Sequence, residues 1–83
     1  MRSKFVSRAA LDRGTVLHTL LHVGDQLTGD VIADRAGQSP RRARRALRTL
    51  RYLGMVQATR DGTAWEITER GREVAALPPS TAV

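Results

Sequence analysis

Ser39-Pro40-Arg41-Arg42-Ala43-Arg44-Arg45-Ala46-Leu47-Arg48-Thr49-Leu50-Arg51-Tyr52-Leu53-Gly54 is the stretch on which the reading of this 83-residue chain turns. Serine before proline is a helix start. The hydroxyl accepts from a free N–H of the first turn, and proline at the first helical position gives up only a donor that would have no partner anyway. Gly54 is a stop, because glycine enters the left-handed conformation without a steric cost. The spacing therefore predicts a helix from Pro40 to Leu53. At about 100° per residue, Ala43, Ala46, Leu47, Leu50 and Leu53 share one face. Arg41, Arg45, Arg48 and Tyr52 lie opposite, with Arg44 and Arg51 on one flank and Arg42 and Thr49 on the other.

The charge pattern sharpens this reading. The chain has 14 basic and 8 acidic residues, a formal net charge of +6. From Arg35 to Arg60 there are eight arginines and no carboxylate, whereas the rest of the chain carries six basic against eight acidic residues. The positive charge is therefore local, and a field of one sign attracts polyanions. A merely solvated helix face usually alternates sign, because opposite charges at i,i+4 stabilise it. Here Arg41–Arg44, Arg41–Arg45, Arg44–Arg48, Arg45–Arg48 and Arg48–Arg51 are all like-charged, each at a cost of a few tenths of a kcal/mol. Thirteen of the fourteen basic residues are arginine. That bias, together with the many alanines, fits a GC-rich genome but does not account for the clustering.

On the N-terminal side, residues 1–8 read as a basic arm carrying Arg2, Lys4 and Arg8. Asp12 is a candidate N-cap for a first helix running to Val23, with Val16, Leu17, Leu20 and Leu21 at helical spacing and Gly24 as its left-handed end. A start near Ser7, with Gly14 tolerated inside, is the longer alternative. Gln26 and Leu27 have room for one β-bridge. Thr28 caps a short second helix to Ala36, with Asp30 in its first turn and Gly37 as its C-cap. On the C-terminal side the period changes to that of strands over Met55–Thr59 and Ala64–Ile67, around a turn containing Asp61-Gly62. Thr68 caps a last helix to Leu77, which Pro78-Pro79 ends. The division is an arm (1–8), one domain (9–77) and a tail (78–83). The fold class is α+β and mostly helical: a winged helix-turn-helix with a three-helix core, a two-stranded wing and a C-terminal helix.

The run from Ser39 through Leu53-Gly54-Met55-Val56 resembles the recognition helix and first wing strand of bacterial winged-helix regulators of the MarR type. Ile67-Thr68-Glu69-Arg70-Gly71 resembles the phrase those families carry after the wing. The resemblance spans about Asp12 to Leu77. It implies a helix lying in the major groove of duplex DNA, with Arg60 at the wing tip reaching a phosphate or the minor groove. In helix-turn-helix docking the start of the recognition helix contacts base edges. Gln38, Ser39, Arg41, Arg42 and Arg45 are therefore the base-reading candidates, with guanine the natural target of arginine. Arg44, Arg48, Arg51, Tyr52 and Arg60 are candidates for the backbone, as are Arg2, Lys4 and Arg8 of the arm. MarR-type proteins dimerise and hold effectors through further terminal helices, for which this chain is too short, so a homodimer is an option rather than an implication. A fainter similarity, through Leu53-Gly54-Met55-Val56 and Trp65, is to domains that bind left-handed nucleic acid, with Arg48 where they place a tyrosine.

Other classes are poorly served by the residues present. There is no cysteine, hence no disulfide framework and no cysteine zinc site. His18 and His22 stand at i,i+4 but lack a third ligand, and they read as polar flanks of a core stripe. No motif sets a nucleophile beside a base, and no glycine-rich phosphate loop occurs. Neither an enzyme nor a cofactor is expected. No apolar run is long enough to span a bilayer and none resembles a secretory signal, so a cytoplasmic protein is the expectation. A protein-interaction module gripping an acidic partner and a binder of structured RNA are the alternatives. Trp65 and Ile67 share a side of their strand, with Trp65 expected in the core beside Leu17, Leu20, Leu21, Val31, Ile32, Leu47, Leu50 and Val56.

Overall fold

The computed structural model describes residues 7–23 and 26–76. In chain order these form α1 (Arg8–Val23), α2 (Gly29–Ala36), α3 (Pro40–Tyr52), β1 (Val56–Ala58), β2 (Trp65–Ile67) and α4 (Glu69–Ala76). The class is α+β and mostly helical, with a two-stranded antiparallel sheet. No helix among the described residues is long and apolar enough to cross a membrane.

Local chemistry sets the helix ends. Ser39 Oγ accepts from Arg42 N at 3.2 Å, with Pro40 in the first turn of α3. Thr28 Oγ1 accepts from Val31 N at 3.3 Å at the start of α2. Both helices finish the same way. Gly37 and Gly54 are left-handed, at φ 69° and 79°. Gly37 N donates to Asp34 O and Gln38 N to Ala33 O, while Gly54 N donates to Arg51 O and Met55 N to Leu50 O. This pair of bonds consumes carbonyls that a helix end would otherwise leave unpaired.

Two expectations need correcting. Asp12 does not cap α1: the longer alternative is the one adopted, with Ser7 Oγ accepting from Ala10 N at 3.0 Å and Gly14 inside the helix. Either residue has cap chemistry, and the earlier start leaves the Asp12 side chain for another use. Val31 is not core but 38 % exposed. Ile32, Ala33 and Ala36 point α2 inward, and Val31 lies about 150° round from their mean direction. Gly24 and residues 77–83 lie outside the described residues, as do Arg2 and Lys4.

The core joins Val16, Leu17 and Leu20 of α1 to Ile32 of α2 and to Ala46, Leu47 and Leu50 of α3. Val56, Ile67 and Ala75 close it, with Leu21, Leu27, Met55 and Trp65 half-buried at its edge. Trp65 and Leu21 are thus less enclosed than expected. Leu50, 2 % exposed, sits in the middle of this cluster. Leu50→Ala is expected to cost about 2–5 kcal/mol through lost burial and the cavity left behind. A thermal melt indistinguishable from that of the unaltered protein would remove Leu50 from the core.

Val56 pairs with Ile67, Gln57 with Glu66 and Ala58 with Trp65. The segment before α2 adds one bridge, Leu27 N to Trp65 O at 3.0 Å and Trp65 N to Leu27 O at 2.7 Å. The hairpin is thereby tied along one edge to the segment that leads into α2. In its loop Gly62 has φ 75°, and no other residue described there is left-handed. Asp61 Oδ1 accepts from Thr59 Oγ1 (2.6 Å), Thr63 Oγ1 (2.9 Å) and Thr63 N (3.1 Å), which stiffens the turn.

Thr68 and Gly71 lock α4 in place. Thr68 Oγ1 donates to Gly54 O at 2.7 Å and accepts from Gly71 N at 3.0 Å, while Thr68 N donates to Met55 O at 3.0 Å. A Cβ on Gly71 would stand 2.1 Å from Met55 O and 2.8 Å from Ile67 Cγ1. Only glycine lets α4 come this close to the end of α3.

Candidate nucleic-acid interface

The apolar face of α3 is consumed by the core, so its arginines are left on the outside. Arg41, Arg44, Arg45, Arg48 and Arg51 are all exposed. Arg41, Arg44, Arg45 and Arg48 together line one open cleft. Among the described residues the sole ion pair is Arg42–Asp12, so none of these five guanidiniums is neutralised by a carboxylate. From Arg41 to Arg51 the cationic surface extends about 15 Å along the helix axis. Tyr52, 89 % exposed, ends it with a phenol open to solvent. Arg60 is exposed in the hairpin loop beside the Asp61 turn, and Arg8 is exposed in the first turn of α1.

Three of the residues expected to read bases are engaged within the fold. Arg42 donates from Nε to Asp12 Oδ2 at 3.1 Å and from its terminal nitrogen to Oδ1 at 2.6 Å. Two parallel charge-assisted bonds fix both the distance and the plane of the guanidinium. Gln38 Nε2 donates to Asp12 O at 3.1 Å, and Gln38 Oε1 is buried without a partner. The Ser39 hydroxyl is spent on its cap. Arg42 and Gln38 therefore clasp the start of α3 to α1, while Arg41 and Arg45 stay free. The helical wheel already set Arg42 apart on the flank. Its partner, Asp12, comes from α1 and is not visible on a wheel of α3.

Three carboxyls are held below their ordinary range. For Asp12 the chief cause is the Arg42 hydrogen bond, for Asp61 the Thr59 hydroxyl followed by Thr63, and for Glu66 the amides of Gln57 and Gln26. A depressed folded-state pKa means that the unfolded chain binds more protons in acid. The contribution is thus complete above the ordinary carboxyl value of about 4 and is lost as pH falls through the folded value. Stability is expected to be level toward neutral pH and to decline below about pH 4. Asp12→Asn should remove part of that decline. Melts across this range check it, and an unchanged acid limb would show that Asp12 does not contribute.

His18 and His22 stack with ring centroids 5.9 Å apart at 20°. Among the described residues no three His, Cys, Asp or Glu side chains are grouped to hold a metal. No protein-family model, curated protein or solved structure matches the chain.

Proposed function

We propose that the chain is a winged helix-turn-helix domain that binds duplex DNA as a small transcriptional regulator. In this reading α2 and α3, separated by Gly37, Gln38 and Ser39, form the helix-turn-helix, and the β1–β2 hairpin is the wing. One observation carries it: five exposed arginines on the outer side of α3 with no carboxylate partner among the described residues. Self-repulsion of this kind is relieved by a polyanion. Arg41 and Arg45, in the first half of α3, are assigned to base edges. Arg44, Arg48, Arg51, Tyr52, Arg60 and Arg8 are assigned to the backbone. Arg42 and Gln38 are reassigned from base contact to positioning, because each is held against Asp12.

The test is fluorescence anisotropy with a random DNA duplex and an RNA duplex of the same sequence at two salt concentrations, followed by selection from a random DNA pool. DNA binding that weakens steeply with salt, and enrichment of a G·C-containing site, support the reading. Preference for the RNA duplex moves the target to structured RNA. Binding to neither leaves an interaction module for an acidic protein.

A further inference from the structure

We propose that the groove between the first half of α1 and the middle of α3 is a second phosphate site. It would hold a backbone phosphate of the same duplex that lies on the outer face of α3. The inference rests on the function proposed above and extends the footprint to a residue outside α3, the hairpin and the arm. Four arginines and one carboxylate line the groove: Arg8, Arg13, Arg42, Arg45 and Asp12. The short side chains of Ala9, Ala46 and Thr49 complete its lining. At about 220 Å³ it has room for a phosphate group with some of its water, each water molecule taking about 30 Å³ in the liquid.

The charge balance inside the groove is decided by the clasp. Both Asp12 oxygens accept from Arg42, so these two charges cancel. Asp12 is also the better covered of the pair, its side chain 13 % exposed against 40 % for Arg42. Arg8, Arg13 and Arg45 remain without a carboxylate partner among the described residues. Arg8 stands in the first turn of α1, where free N–H groups add a partial positive charge. The groove is also continuous with the α3 surface, because Arg45 lines both it and the cleft of Arg41, Arg44 and Arg48. A strand lying on that cleft would pass Arg45 and reach Arg13.

The experiment measures salt dependence of binding to a random DNA duplex for Arg13→Ala, Arg13→Lys and Asp12→Asn, with Arg48→Ala as the reference. Each phosphate contact contributes about −0.9 to the slope of log affinity against log salt. Arg13→Ala should be shallower by about one contact, and Arg13→Lys should keep the original slope. Asp12→Asn, which frees Arg42, should be steeper by about one contact. Circular dichroism checks that Arg13→Ala is folded, which alanine in a helix favours. An unaltered slope for Arg13→Ala beside a shallower one for Arg48→Ala overturns the second site and leaves the proposed function standing. A domain that binds no duplex removes both. Inorganic phosphate, titrated at constant ionic strength against chloride, is the control for the source of the anion. Displacement no better than by chloride supports the backbone. A saturable phosphate effect that Arg13→Ala abolishes would make the groove a site for the free anion and overturn its assignment to the duplex.

Discussion

Affinity for duplex DNA is expected to fall by about three orders of magnitude or more between about 50 and 200 mM salt, the behaviour of a protein making roughly six phosphate contacts. Arg8, Arg44, Arg48, Arg51 and Arg60, the arginines assigned to the backbone, supply five such cationic groups, and Arg13 of the groove a sixth. Individual substitutions should divide the arginines into two kinds. Arg48→Ala should weaken binding to all duplexes alike and make the salt slope shallower by about one contact. Arg41→Ala and Arg45→Ala should cost more on the selected site than on a scrambled one, by about 1–3 kcal/mol if a guanine is read through two hydrogen bonds, roughly 5- to 150-fold. The division follows from position, Arg41 and Arg45 lying nearer the helix start and Arg48 further along. Arg42→Ala should behave differently again. It removes no unpaired arginine but uncovers the Asp12 carboxylate and releases the start of α3, so it should weaken binding to every duplex and also loosen the hold on Arg41 and Arg45. Titrations of both duplexes at several salt concentrations measure all four variants. Equal losses on both duplexes for Arg41, Arg45 and Arg48 would mean that α3 responds to charge and shape alone, and the regulator reading would lose its support.

Gly71→Ala is expected to lower stability by about 3 kcal/mol or more, at the upper end of what overpacking costs. In a domain of this size that is a fall in Tm of more than about 10 °C. Alanine is otherwise the better helix former, by about 1 kcal/mol at an open position, so propensity and packing oppose each other here. Packing should win, because the first atom the new methyl meets is the Met55 carbonyl oxygen, at 2.1 Å, and backbone cannot swing aside. Gly14→Ala is the control. Nothing lies within 4 Å of the Cβ it would add in the middle of α1, so it should raise Tm slightly. Thermal melts of the two variants decide the matter, and a Gly71→Ala domain as stable as the unaltered one would mean that α4 does not sit on Met55 as described. The same contact explains the phrase Ile67-Thr68-Glu69-Arg70-Gly71. Ile67 is core, Thr68 ties α4 to Gly54, and Gly71 gives the clearance.

Local signals made most of the elements legible without a structure. Ser39-Pro40, Thr28, Gly37 and Gly54 act through bonds to their own neighbours, so their meaning does not depend on distant residues. The apolar face of α3 was likewise legible, because a 13-residue helix repeats its period often enough to define a direction. In the eight residues of α2 the period is sampled only twice, too seldom to separate the exposed Val31 from the buried Ile32 beside it.

The arginines divide along the same line. That α3 carries an unbalanced positive face is a property of the sequence alone, since every charged neighbour at i,i+3 or i,i+4 within it is another arginine. Which of them are free is not. Arg41 and Arg42 are adjacent and chemically identical, and only the packing of α1 on α3 separates them. That packing brings Asp12, thirty positions away in the chain, within 2.6 Å of Arg42 and leaves Arg41 exposed. The same packing moved Asp12 from cap to clasp and brought Arg13 into a groove with Arg45. A side chain's local options are written in its neighbours. Which option it takes depends on what the tertiary fold brings opposite it, because a bidentate ion pair requires two particular surfaces to meet in one orientation.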